Sequence, residues 1–421
     1  MSDAAVPRVS AAQAPPGPLL LAFSGGLDSS LLMHLLVEAG LGPRLRVLHV
    51  NHQIQARSAD WAAFCRARAA ALKLPFEEVR VTVPAAANLE AGARAVRYQA
   101  LAEHAASATV ITAHHRDDQA ETVMLNLLRG AGVQGLAAMT EHSSLEGMRL
   151  WRPLLAFGRG QLEREARRRG LDWVEDPSNA DVGLRRNRLR HEILPRLAAT
   201  WPGAPTILAR TAGVMADAAT LLDERAAEDA RALAAQRDRL PLRELAALSR
   251  ERRDNLLRWW LDQAGAPPPS VAITGQIRGL LRAPSDREAR VSWGGHTLRR
   301  YRGDLYLLRD GDLQPLSGSL HWRAGDEPPD SGLWRLLPGE GEVTLWVPPG
   351  DVQLRPFVGG ERLRRHGQRQ QVSELWRVAG VPPWRRRQWP LLYQDDELMS
   401  VPMIGVADGV DRHRCRPWQL R

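Results

Sequence analysis

The chain has 421 residues, with 57 Lys+Arg against 48 Asp+Glu, a formal charge of +9, and 44% hydrophobic residues. That length holds two to four domains at roughly 100–200 residues each, and ordinary globular values of this kind exclude a wholly disordered chain. No uninterrupted apolar run approaches the ~20 residues that a bilayer span needs. Two cysteines as far apart as Cys65 and Cys415 argue against a disulfide framework and a cysteine-based zinc site.

A cytoplasmic location with no membrane partner is therefore expected. The basic excess is nearly all arginine, with Lys73 the single lysine. A GC-rich genome produces such a bias, but its consequence is physical either way. Arginine is a planar fork that suits bidentate phosphate contacts and base stacking. Bulk charge alone fits either an acidic polymer as partner or a solvated surface. With lysine confined to position 73, P-loop kinase chemistry and Schiff-base mechanisms are barred.

Along the chain, residues 1–18 are Pro/Ala-rich and are expected to form a flexible leader. LLLAF (19–23) predicts a buried strand and residues 29–39 an amphipathic helix. RVLHVN (46–51) is the next strand, followed by an Ala-rich helix over 58–73. FEEVRVTV (76–83) and TVITAH (109–114) predict further strands, with helices near 90–106 and 117–129. Such alternation signals a parallel sheet covered on both faces. Residues 141–200 read as irregular, 204–264 as helical, and 271–323 as a helix mixed with strands such as TLRRYRG and LYLLR. The expected fold class is α/β: a parallel-sheet, Rossmann-like catalytic domain over 19–215, a mostly helical middle domain over 216–325, and a small α+β C-terminal domain over 326–421.

The most informative stretch is LLLAFSGGLDSS (19–30). Glycines at 25 and 26 let the backbone turn sharply and bring bare N–H groups against an anion. The helix that follows adds the positive end of its dipole. Ser24 and Ser29 supply hydroxyls, and Asp28 is placed to hold a metal ion or orient a reactant. No lysine follows, so this is not the G-x-x-x-x-G-K-[ST] loop. The stretch resembles the SGGxDS loop of the N-type ATP pyrophosphatases, the PP-loop enzymes with an adenine nucleotide α-hydrolase-like fold. The resemblance implies that Ser24, Gly25, Gly26, Leu27, Asp28 and Ser29 bind ATP, that Asp28 holds Mg²⁺, and that ATP is cleaved between its α- and β-phosphates to adenylate a substrate.

Three further segments are similar to those of the tRNA(Ile)-lysidine synthases. HVNHQIQARSADWAAFC (49–65) resembles their HVNHGLR segment, departing at Gln53 and Gln55. NLEAGARAVRYQAL (88–101) with TAHHRDDQAETVMLNLLRG (112–130) resembles the segment that borders their reaction centre. LDWVEDPSNADVGLRRNRLRHEILPRL (171–197) matches their D-x-S-N and R-N-x-x-R elements. The C-terminal stretch 359–393, with its G-V-P-P-W turn, is similar to their last domain and interleaves basic residues with Trp376, Trp384 and Trp389. Stacking faces beside phosphate-binding forks suit RNA, although at least one of these tryptophans is expected to be simply buried.

The resemblance implies a ligase that joins L-lysine to C2 of the wobble cytidine of tRNA(Ile) with a CAU anticodon. The route runs through an adenylated cytidine and gives lysidine, AMP and pyrophosphate, shifting codon reading from AUG to AUA. It implies ATP and Mg²⁺ as cosubstrate and cofactor, and tRNA(Ile) and lysine as partners; a homodimer is left open. Asp28, Asp118, Arg97, Arg186 and Arg190 become the expected catalytic residues, with Asp118 as base for the incoming amine. His52, Glu90, Arg94, His114, His115, Asn187, Arg364, Arg365 and Trp384 become the expected substrate-binding residues. Two other readings stay open: a PP-loop enzyme acting on a different RNA base or a metabolite, and a tRNA-binding relative without catalysis. The thiolation branch is disfavoured, since neither Cys65 nor Cys415 sits where a thiol would be activated.

Overall fold

A computed structural model describes residues 6–53, 57–83, 89–145, 147–282, 289–330 and 332–420, the side chains of 89–91 and 313 excepted. They form two compact units, Met1–Leu221 and Leu222–Arg421.

The first unit is built on a six-stranded sheet ordered β3-β2-β1-β4-β6-β5. Its elements are β1 (Leu19–Ala22), α1 (Leu27–Glu38), β2 (Leu45–Asn51), α2 (Ser58–Ala71), β3 (Phe76–Arg80), α3 (Leu89–Ala105), β4 (Thr109–Ile111), α4 (Arg116–Leu128), α5 (Val133–Leu136), β5 (His142–Leu145), β6 (Met148–Trp151) and α6 (Arg159–Arg168). All pairings are parallel except β5 with β6. The uninterrupted apolar run of β1 is explained by burial on both faces. Leu19 and Leu21 enter a cluster with Leu31, Leu32 and Leu162 from α1 and α6, while Leu20 enters one with Leu101 and Tyr98 from α3. β5 and β6 fall in the stretch that reads as irregular. Their sequences, HSSL and MRLW, are short and half polar because β5 is an exposed edge strand.

Strand order reverses at β1: the chain runs outward through β2 and β3, then returns to place β4 on the other side. Ligands of open α/β sheets bind at the carboxyl ends of the strands at such a reversal. The segments that leave β1 and β4 there are Phe23–Gly26 and Thr112–His115.

The described part of the expected leader is structured. Pro7 is buried, Val9 packs on the core, Ala11–Gln13 form a 3-10 turn, and Arg44 Nη1 donates to the Pro15 carbonyl at 2.8 Å. Proline and alanine lose little side-chain entropy on docking, so a segment without an apolar run can still be ordered.

The second unit contains two main cores. Leu256, Leu257, Trp260 and Ile277 from helices pack on Leu298 and Leu305 of a four-stranded antiparallel sheet. LRRY and LYLLR are strands of that sheet, at His296–Tyr301 and Asp304–Arg309. A second core of Trp322, Trp334, Trp376, Trp389 and Trp418 lies among the antiparallel strands that follow residue 320. Trp376 is fully buried, donates Nε1–H to the Pro402 carbonyl at 2.9 Å and meets Phe357 and Trp389 edge-on. Replacing it with alanine should cost roughly 3–5 kcal/mol, read as a lower denaturant midpoint for the tryptophan-fluorescence transition.

Candidate active site at the sheet reversal

The loop between β1 and α1 turns at Gly25, whose φ is +79°; a Cβ there would lie 2.8 Å from Cys65 Sγ. Both facts require glycine. Ser29 Oγ donates to the Gly26 carbonyl at 3.0 Å, Ser24 and Ser29 hydroxyls are 3.0 Å apart, and Gly26 N–H reaches Ser24 Oγ at 3.3 Å. Val174 N–H donates to the Gly25 carbonyl at 2.9 Å, tying the 171–180 segment to the loop. Leu27 contributes only backbone to this cup, since its side chain is in the core. The amides that open the twelve-residue α1 complete an anion cradle. Cys65 behind it is buried in α2, and burial pushes its thiol up to about 12, which removes it as a nucleophile.

Asp28, in the first turn of α1, has two unlike oxygens. Oδ2 accepts from Arg159 Nη1 at 3.1 Å and lies 3.7 Å from His115 Nε2. Oδ1 is buried and has no hydrogen-bond partner. Burial raises the Asp28 carboxyl above its ordinary range, with His115 and Arg159 opposing that rise. No group of three or more His, Cys, Asp or Glu suited to a metal occurs among the described residues. A single carboxylate fits Mg²⁺, which is held by one or two carboxylates, waters and the phosphates of its substrate. Arg159 was not expected in the site: it is 131 positions from Asp28, and one arginine among so many carries no local signal.

α4 begins on His115. Asp118 N–H donates to His115 Nδ1 at 3.3 Å and His115 N–H donates to Asp118 Oδ2 at 3.0 Å, a reciprocal cap. Nδ1 is thus the acceptor, which leaves the Nε2 proton facing Asp118 and Asp28 at 3.4 and 3.7 Å. Asp118 Oδ1 accepts from Arg190 at 2.9 Å and Arg186 at 3.4 Å. Burial opposes its ionisation, but His115, His114, Arg186 and Arg190 together outweigh it and hold this carboxyl well below the usual range. A carboxylate so stabilised is a weak base, and both of its oxygens already accept hydrogen bonds.

Glu121, one turn on and only 1% exposed, anchors both arginines: Arg186 Nε at 2.7 Å, Arg190 Nε at 2.6 Å and Arg190 Nη2 at 3.0 Å. Its i, i+3 spacing from Asp118 was the available signal. The two arginines lie on α7 (Arg185–Arg188) and on a π-helical turn, Leu189–Ile193, that precedes α8 (Leu194–Thr200). Pro195 lacks an N–H and its ring crowds the carbonyl four residues back, which favours a wider turn there. Asn187 is a correction: its amide donates to the Ser178 and Asp181 carbonyls at 2.9 and 3.0 Å, so it fixes the 178–181 loop and has no donor left for substrate. Asp176 caps that loop through Ser178 N–H and Oγ.

At the end of β2, His52 Nε2 accepts from Arg97 Nε at 3.3 Å, and burial with the Arg97 charge brings this histidine down to about 4. Burial lowers His114 to about 3, and its Nδ1 pairs with Thr112 Oγ1 at 2.8 Å. Both rings are neutral near pH 7. Arg94 is exposed and stacks over Tyr98 at 5.0 Å. The Glu90 side chain lies outside the described residues. Arg364 and Arg365 belong to a hairpin of the second unit, Arg364 exposed. Trp384 is another correction: it is 9% exposed and packed against Tyr301, Tyr306 and Leu308, so it offers RNA no free stacking face. Trp376 and Trp389 are likewise buried, because a small antiparallel domain fills its core with its largest side chains.

Family models match three stretches of the chain: a PP-loop domain over residues 6–197, a TilS substrate binding domain over 240–306 and a TilS substrate C-terminal domain over 352–421. The chain is 41% identical over 416 residues to the tRNA(Ile)-lysidine synthase of Pseudomonas syringae pv. tomato, covering 95% of this chain and 91% of that one. It is 39% identical to the tRNA(Ile)-lysidine synthase of Pseudomonas aeruginosa, over 96% and 93% of the two chains. The chain belongs to the tRNA(Ile)-lysidine synthase family.

Within this family member, the steric demand at residue 25 is directly testable. Gly25→Ala should weaken ATP binding at least tenfold in equilibrium titration, and adding Cys65→Ala should recover only part of the loss, since the positive φ persists. Removing Glu121 leaves two arginines short of a buried partner, so Glu121→Ala should destabilise the first unit by on the order of 3 kcal/mol. Glu121→Gln should lose less, both being read by thermal unfolding.

Proposed function

We propose that this chain ligates L-lysine to C2 of the wobble cytidine of tRNA(Ile) bearing a CAU anticodon. The cytidine O2 attacks the α-phosphate of ATP, the bond to the β-phosphate breaks, and pyrophosphate leaves. The lysine ε-amine, as the free base, then adds to C2, the C2–O2 bond breaks, AMP departs with the former O2, and the proton shed by the new C–N nitrogen passes to solvent. The observation that carries this reading is the sharing of one sheet reversal by a glycine-serine anion cradle and a buried acid–arginine cluster, in a chain about 40% identical to named lysidine synthases. A ligase forming a C–N bond by this route needs the outer phosphates held, charge on the leaving group offset, and an RNA base presented to the same spot.

The cup at Ser24–Ser29 receives pyrophosphate through backbone N–H groups and the two hydroxyls. Asp28, whose Oδ1 has no protein partner, would hold Mg²⁺, and the ion would supply charge stabilisation on the phosphates. Arg186 and Arg190, 20% and 26% exposed, are held in place by Asp118 and Glu121. Anchored in this way they suit phosphate oxygens of ATP or of the RNA backbone. Neutral His52 and His114 leave the crevice free of added positive charge that would repel a lysine ammonium. Asp118 acts as a positioning residue for His115 and the two arginines.

Purified protein, ATP, Mg²⁺, labelled lysine and tRNA(Ile) transcripts with C or U at the wobble position test the function. Label should pass to the C transcript alone; transfer to neither, with ATP consumed in the absence of tRNA, would refute it. In the same assay Asp28→Ala should abolish pyrophosphate release, and Asp118→Ala should lower adenylation and lysine addition by similar factors. Loss confined to lysine addition would restore Asp118 as the base.

A further inference from the structure

Arg159 is the first residue of α6, and its backbone is pinned. Its N–H donates to Asp117 Oδ2 at 2.8 Å, and the preceding Gly158 lies so close to Arg116 that a Cβ there would fall 2.5 Å from Nη2. Its side chain is different in kind. It is 45% exposed and touches Asp28 Oδ2 through one nitrogen, at 3.1 Å, whereas Arg190 grips Glu121 with two. A single-point, half-exposed ion pair is weak and readily exchanged. The contact therefore sits on the one carboxylate proposed to receive metal, and the arm that makes it can swing without disturbing the helix.

We propose that Arg159 is a tethered counter-cation: it neutralises Asp28 when the loop holds no nucleotide, and transfers to the polyphosphate when metal and ATP enter. This rests on the reading of Asp28 as metal holder. A divalent cation that takes Oδ1 alone brings its charge against the guanidinium on Oδ2 of the same carboxylate, repels it and leaves it without a partner. A cation entering with triphosphate displaces it onto an anion in the adjacent cup. Metal and nucleotide entry are thereby coupled, and the site resists loading with metal alone.

The coupling predicts opposite signs for two binding measurements that need no turnover. Mn²⁺ alone, followed by electron paramagnetic resonance, should bind Arg159→Gln about fivefold tighter than wild type, as expected for removing an ion pair of this kind. ATP in EDTA, followed by calorimetry, should bind the same variant about fivefold or more weakly. Arg159→Lys, which keeps the charge, should lie between, and thermal midpoints report whether both variants are folded. Mn²⁺ affinity that is unchanged or weaker in Arg159→Gln overturns the proposal. Asp28→Asn separates the two readings: it should abolish the Mn²⁺ signal, and Mn²⁺ binding that survives it overturns the metal assignment of Asp28 and the exchange together.

Discussion

Bringing ionised carboxylates into a crevice walled by apolar strands costs several kcal/mol for each one unless opposite charge and hydrogen bonds offset it. Asp28, Asp118 and Glu121 all lie at the reversal of the six-stranded sheet, and each is met by a guanidinium: Arg159 on Asp28, Arg186 and Arg190 on the other two. His115 stands between the two aspartates with its Nε2 proton toward both. Remove this balance and the carboxylates would take up protons or the loop would open. The balance gives a highly polar crevice in which three carboxylates face three guanidiniums.

The pairs differ in tightness, and the difference has functional meaning. Glu121 is sealed and doubly bonded by Arg190, which makes it part of the frame. Asp28 is held at one point by a half-exposed arginine and keeps one oxygen unmatched. Structure of this kind separates what must stay still during adenylation from what must exchange partners. Arginine suits both tasks, as a rigid fork when bonded twice and an exchangeable cation when bonded once, and this chain with a single lysine has little else to draw on.

The second unit shows how a basic, tryptophan-rich sequence can mislead about RNA contact. Stacking on bases requires an open aromatic face, yet Trp376, Trp384 and Trp389 are all committed to packing. Arg364, Arg377 and Arg387 remain exposed, so charge rather than stacking is what these residues offer at the surface.

Local pattern alone determined the parallel sheet of the first unit, the glycine-serine loop and a helix opening near Asp117. Each follows from short-range rules: two-sided burial of LLLA, the turn that only Gly25 can make, and capping by residues within one turn. The order of the motifs likewise carried the family, since SGGLDSS, HHRDDQAET and the R-N-x-x-R run stand at characteristic positions. Tertiary structure alone decided which of these residues meet. Arg159 reaches Asp28, Glu121 anchors two arginines and Trp384 is buried because of contacts between segments tens to more than a hundred residues apart, while Asn187 is spent on the carbonyls of a loop six to nine residues before it. Those contacts are set by how strands are ordered and helices stacked, and a one-dimensional pattern holds no record of the distance between charges that the folded chain brings together.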